Sequence, residues 1–151
     1  MVANNRIIQV LPTQIPTVWE QIKFAATKAD EVDTKNLQQY LTKLLHELLN
    51  GKAQCFIRID DNRNLLALLI TNLSCDKITG ETFLYLKCIY SFQLANDETW
   101  ARDMRFVVRF AKKEGCSYIS FDSRHQRIYE INEKLGFKET SRSYRIGIGG
   151  V

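Results

Sequence analysis

The chain has 151 residues, 45% of them hydrophobic and 25% charged, with a formal net charge of +4 at pH 7. This is the composition of one globular domain with its own core, and it excludes a low-complexity or disordered chain. No run approaches the roughly 18 apolar residues of a membrane span, and the polar start Met1-Val2-Ala3-Asn4-Asn5-Arg6 lacks the apolar centre of a secretory signal, so a cytoplasmic protein with no membrane partner is expected.

Residues 6–11 alternate as a short strand. Thr13 is the predicted cap and Pro16 the first turn of a helix over 16–27, with Ile15, Val18, Trp19, Ile22, Ala25 and Ala26 on one face. A polar link leads to Thr34, the predicted cap of a leucine-faced helix that stops at Asn50-Gly51. The period then changes from helical to alternating. Ala53, Cys55, Ile57 and Ile59 face one way, residues 61–64 turn the chain, and Leu65 to Ile70 form a continuous apolar run suited to a covered strand. Lys77-Ile78-Thr79-Gly80 turns it again into a third strand over 83–90, which makes an antiparallel meander.

Asn96 is the predicted cap of the next helix, whose core face is Trp100, Met104, Val107, Val108 and Ala111 and whose stop is Gly115. A strand over 116–122, a helix over 125–135 and a strand over 137–148 complete the order β-α-α-β-β-β-α-β-α-β. A single α/β domain with a sheet of about six strands follows from this alternation. Trp19, Leu44, Leu68, Ile70, Leu86, Val107, Ile119 and Phe121 are expected to be buried.

The cysteines Cys55, Cys75, Cys88 and Cys116 are too scattered for a CxxC pair, and His46 and His125 lack metal-ligand spacing, so no metal site is expected. Arg102, Arg105, Arg109, Lys112 and Lys113 share a helix whose Phe106 and Phe110 have core spacing, which predicts a solvated cationic face and no nucleic-acid partner. Ser120, Asp122, Ser123 and His125 lack the Gly-x-Ser-x-Gly elbow of a hydrolase.

The stretch Ile128-Tyr129-Glu130-Ile131-Asn132-Glu133-Lys134-Leu135-Gly136-Phe137 resembles the YEKLGF signature near the end of the GNAT superfamily of N-acetyltransferases, and the element order matches that fold from residue 6 to residue 148. The resemblance implies a GNAT-like mixed sheet, splayed between its fourth and fifth strands where members hold acetyl-CoA. It also exposes departures. The family's Q/R-x-x-G-x-G/A turn corresponds to residues 91–100, which contain no glycine, and Asp97 and Glu98 would repel a pyrophosphate at the helix start. Asn132 stands at the family's tyrosine, Ile128 at its alanine, and the fourth strand has no Asp or Glu to serve as base.

Val18-Trp19, Leu48-Leu49-Asn50-Gly51-Lys52-Ala53 and Ala111-Lys112-Lys113-Glu114-Gly115-Cys116 are similar to small GNAT-like proteins of tailed bacteriophages. The preferred expectation from sequence is a binding or structural protein with a degenerate acetyl-CoA site and no cofactor, its partner a protein such as a phage structural protein, in the host cytoplasm or the virion. Its candidate contact surfaces are residues 4–11 and 142–151, which supply a strand edge and a glycine-rich tail. The alternative is an atypical acetyl-CoA-dependent N-acetyltransferase. Its catalytic positions would be Tyr129, Asn132 and Tyr144, and its cofactor contacts Phe92, Gln93, Leu94, Asn96, Thr99 and His125.

Overall fold

The computed structural model describes residues 5–30, 32–122 and 133–149. Strands β1 (Asn5–Val10), β2 (Ala53–Asp60), β3 (Leu65–Cys75), β4 (Thr82–Ser91) and β5 (Tyr118–Ser120) lie side by side in that order. The first four are antiparallel and β5 joins β4 in parallel. Helices α1 (Ile15–Asp30) and α2 (Leu37–Leu49) precede β2, and α3 (Asp97–Lys113) makes the crossover that a parallel β4–β5 pair requires. This α/β fold follows the expected order as far as β5.

Every residue of β2 from Ala53 to Ile59 is buried, because both faces of the sheet are covered. Cys55, Ile57 and Ile59 pack with Ile15, Ile22, Ala25 and Ala26 of α1 and Leu44 and Leu48 of α2. On the opposite face Phe56 meets Phe106 and Phe110 of α3 at ring separations of 5.8 and 5.1 Å. That contact explains the spacing of the two phenylalanines and leaves Arg105, Arg109, Lys112 and Lys113 exposed. Burial pushes the Cys55 thiol up to about 12, so it behaves as a small hydrophobe.

One irregularity in β4 reorganises the sheet. Ile70 pairs with Cys88 but Thr71 pairs with Leu86, so Lys87 has no residue opposite it. An extra residue reverses the pleat. Leu84 and Leu86 accordingly join the α3 core, whereas Cys88 and Tyr90, of the same parity, join the α1/α2 core.

Several expectations need correction. Thr13 does not cap α1; a 3₁₀ turn, Pro12–Gln14, leads in, and the Gln14 side chain accepts from the Leu11 N–H at 2.9 Å. The second helix begins at Leu37, after a turn over 34–36. Residues 137–149 form no helix or strand, and the sheet of the described residues has five strands. A strand needs a ladder, and β5 offers a neighbour only three residues. Trp19, Ile119 and Phe121 are half-buried; Phe121 rests edge-on against Phe137 at 5.2 Å. Of the helix expected over 125–135, residues 133–135 are helical and the remainder lies outside the described residues.

Candidate functional site

Three rungs hold β4 to β5: Phe83 with Tyr118, Leu84 with Ile119, and Tyr85 with Ser120. Past Tyr85 the strand continues to Ser91 with β3 as its neighbour and no rung to β5 among the described residues. The Lys87 bulge falls within this parted stretch. The chain then leaves β4 through residues 92–96 and enters α3, so the helix start stands at the carboxyl end of the open strand. In α/β sheets the crevice beyond the carboxyl ends of parallel strands, beside a helix N-terminus, is the usual ligand position. At the vertex, the Tyr85 hydroxyl donates to Asp122 Oδ2 at 2.7 Å.

The first turn of α3 satisfies part of itself. Asn96 Oδ1 accepts from the Thr99 N–H at 2.8 Å, so the cap side chain occupies one donor that an anion would use. Phe92 and Gln93 donate their N–H groups to Leu66 O at 2.9 and 3.2 Å, which fastens the loop to β3. Leu94 is 83% exposed. The expected repulsion from Asp97 is reduced by Lys134, whose Nζ lies 3.0 Å from its carboxylate. Both partners are exposed, so this pair contributes little to stability, but it cancels charge where an anion would sit.

On the α1/α2 side of the same strand end, three rings touch. Phe24 of α1 stacks near Phe92 at 6.1 Å and meets Tyr90 edge-on at 5.8 Å, while Tyr90 and Phe92 are 5.0 Å apart. Lys28 Nζ lies 5.9 Å from the Phe24 ring centre.

On the α3 side, Arg58 of β2 is 3% exposed and bonds Asp103 Oδ2 at 2.5 Å. Burial pushes the Asp103 carboxyl above its usual range, against the pull of Arg58 and Arg102. Arg58 Nε, Asp103 Oδ1 and Trp100 Nε1 have no hydrogen-bond partner among the described residues. They border a cavity of about 30 Å³, wide enough for water to bridge them.

Among the sequence candidates, Phe92, Gln93, Leu94, Asn96 and Thr99 gather at the β4–α3 junction. Tyr144 is 87% exposed on the coil after residue 136. His125, Tyr129 and Asn132, and with them Ile128, lie outside the described residues. Sequence reasoning missed Tyr85, Asp122 and Phe24. Asp122 was visible only as a member of a triad lacking its elbow, and its approach to Tyr85 depends on the parallel register. Among the described residues no group of three or more His, Cys, Asp or Glu converges as a metal site, and no helix is long and apolar enough to cross a membrane.

No protein-family model matches the sequence, and no curated protein is similar to it. Solved structures match over nearly the whole chain. The aminoglycoside N-acetyltransferase AAC(6')-Iy in complex with CoA is 16% identical, with a TM-score of 0.73 over 97% of this chain and 96% of that one. A predicted acetyltransferase from Clostridium acetobutylicum, solved with acetyl-CoA, is 13% identical with a TM-score of 0.73 over 98% and 99%. The aminoglycoside 6'-N-acetyltransferase AAC(6')-Ih from Acinetobacter baumannii is 13% identical with a TM-score of 0.71 over 95% and 97%. At such identities the likeness is one of fold, and the fold is that of the GNAT acetyltransferases.

Proposed function

We propose that the chain is an N-acyltransferase that uses acetyl-CoA as donor substrate at the parting of β4 and β5. The observation that carries this is the edge of β4 from Leu86 to Ser91, which has no rung to β5 among the described residues, contains the Lys87 bulge and leads into the start of α3. A strand edge that has parted from its neighbour suits the amide groups of a pantetheine arm, which can add to it as a further strand would. The helix start favours the pyrophosphate, with Lys134 offsetting Asp97. The acceptor nitrogen attacks the thioester carbonyl carbon; the N–C bond forms, the C–S bond breaks, the amine gives up a proton and the thiolate takes one. Asp122, held by Tyr85, is the carboxylate at the vertex that can receive the first proton, and the Tyr85 phenol can deliver the second.

Calorimetric titration with acetyl-CoA should give saturable micromolar binding. Replacing Asp122 by Asn should lower turnover about a hundredfold while leaving donor affinity in place, the separation expected of a proton acceptor. No heat at millimolar acetyl-CoA would overturn the proposal.

One observation favours a second function, a protein-binding role without acyl transfer. The N–H groups of Phe92, Gln93 and Thr99 are already committed within the chain, which reduces the donors left for a phosphate. In that case the partner is a protein, a phage structural protein under the narrower resemblance, and acetyl-CoA does not bind.

A further inference from the structure

β1 is the outermost strand on the side of the sheet away from β5, and among the described residues no strand pairs with its outer edge. Asn5 to Val10 run rung for rung against Asp60 to Cys55 of β2 without a bulge or a proline. In an antiparallel pair every second residue turns its N–H and C=O away from the neighbour, so β1 holds out a regular row of donors and acceptors. Edges are commonly guarded by charges or bulges on the strand itself. β1 carries one charge, Arg6, opposite Ile59 on the α1/α2 face; Asn5, Ile7 and Gln9 face α3.

α3 lies along that face with a row of cations on the flank next to β1. Phe106 and Phe110 reach Phe56 of β2, whereas Met104, Val107 and Ala111 pack with Leu84 and Leu86 of β4, so the flank beyond the phenylalanines looks toward β1. Arg102 shows the direction by bonding Asn5 Oδ1. At about 100° per residue, Arg109 and Lys113 fall within roughly 20° of Arg102 on the helix, and the three span about 16 Å of its length. All three are exposed, and among the described residues Arg109 and Lys113 have no ion pair. The acids nearby are committed: Asp103 is buried against Arg58, and Asp60, opposite Asn5, accepts from Asn62 and Asn64.

We propose that β1 takes an extended acidic segment of a partner protein as a further strand. The segment's backbone pairs with β1, and its carboxylates, at alternate positions about 6.6 Å apart, face Arg102, Arg109 and Lys113. A second copy fits poorly, because antiparallel pairing of β1 with itself about a two-fold axis would set two rows of like charge side by side on one face. A nucleic acid fits poorly too, since the rings of the row, Phe106 and Phe110, are turned in against Phe56. At the usual strand spacing β4 lies about 14 Å from β1, so the segment and acetyl-CoA occupy separate places and the proposal does not rest on acyl transfer.

The test titrates the whole chain into a fluorescein-labelled heptapeptide, Glu-Thr-Glu-Thr-Glu-Thr-Glu, and follows anisotropy, with amide NMR to locate the site. The peptide should bind and shift the amide resonances of residues 5–10. Methylating every peptide nitrogen should weaken binding at least about tenfold, through the lost backbone bonds. The double variant Arg109→Glu with Lys113→Glu, with thermal melting as the control for folding, should also weaken it at least about tenfold, and saturating acetyl-CoA should change nothing. No binding at millimolar peptide, or equal affinity of the methylated peptide, overturns strand addition. Displacement by acetyl-CoA places the peptide at the donor site and overturns the assignment to β1. Tighter binding of an oligothymidylate of equal charge makes the row a nucleic-acid contact, and a chain that sediments as a dimer and takes up no peptide has its β1 edge covered by a second copy; either result overturns the proposal.

Discussion

Arg58 and Asp103 show at the residue scale how one buried pair constrains a site. The guanidinium lies on the α3 face of β2, where the strand pattern calls for an apolar residue, and it survives there because Asp103 meets it at 2.5 Å. The contact uses Nη1 and Oδ2 only; Oδ1 lies 3.7 Å from Arg102 Nη2, and Nε is left to be satisfied within the adjoining cavity. Replacing Asp103 by Ala should destabilise the protein by about 3–5 kcal/mol in urea unfolding, because the cation is left without a partner. The double change Arg58→Met with Asp103→Leu should recover most of that loss. The pH dependence has a definite sign. The folded carboxyl titrates above its unfolded value, so across that window the native state binds more protons than the unfolded chain, and the contribution of Asp103 to stability falls as pH rises.

At the scale of elements, β4 and the start of α3 decide whether there is a site at all. Lys87 is the extra residue that sends Leu86 to one core and Cys88 to the other. Deleting it should leave every side chain from Cys88 to Ser91 on its present face, because the Thr71–Leu86 and Ile70–Cys88 pairs then become consecutive rungs of a regular ladder, and unfolding in urea should remain cooperative. Lys87→Ala should cost about 1 kcal/mol, the loss of one half-buried cation–ring contact. The cap of α3 makes the complementary case. Asn96→Gly should cost only a few tenths of a kcal/mol in helix stability and should tighten acetyl-CoA binding, because it releases the Thr99 N–H at the helix start. Calorimetry on the variant checks both the sign and the site. Unchanged or weaker affinity would mean that the donor does not bind at this helix end.

Across the whole molecule, the parts legible in the sequence were those set by local period. The helical faces of α1, α2 and α3, the alternation in β2 and the Asn96 cap all follow from spacing within a dozen residues. The bulge at Lys87 was not legible, because Leu84, Leu86, Cys88 and Tyr90 alternate without a break and only the pairing with β3 shows that the strand reverses. The Tyr85–Asp122 contact and the Phe24 ring contacts were hidden for the same reason, each joining residues far apart in sequence through sheet register. Phe121 and the expected strand after residue 137 mark the opposite failure. Alternation alone predicted pairing that three residues of β5 cannot supply.

The sheet also joins two cores that are chemically separate, one of α1 and α2 against Cys55, Ile57 and Ile70, the other of α3 against Leu84 and Leu86. β2 through β4 contribute to both, so loss of either face removes one wall of the other. Phe56→Ala, beneath Phe106 and Phe110, should cost about 3–5 kcal/mol, and Leu48→Ala, on the other face, about 2–5 kcal/mol. Both variants should still unfold in one step, with far-ultraviolet and near-ultraviolet circular dichroism transitions coincident in urea. Separate midpoints in either variant would show that α3 and its half of the cleft can open while the α1/α2 core holds. The parting of β4 from β5 would then be a movable boundary rather than a fixed feature of the sheet.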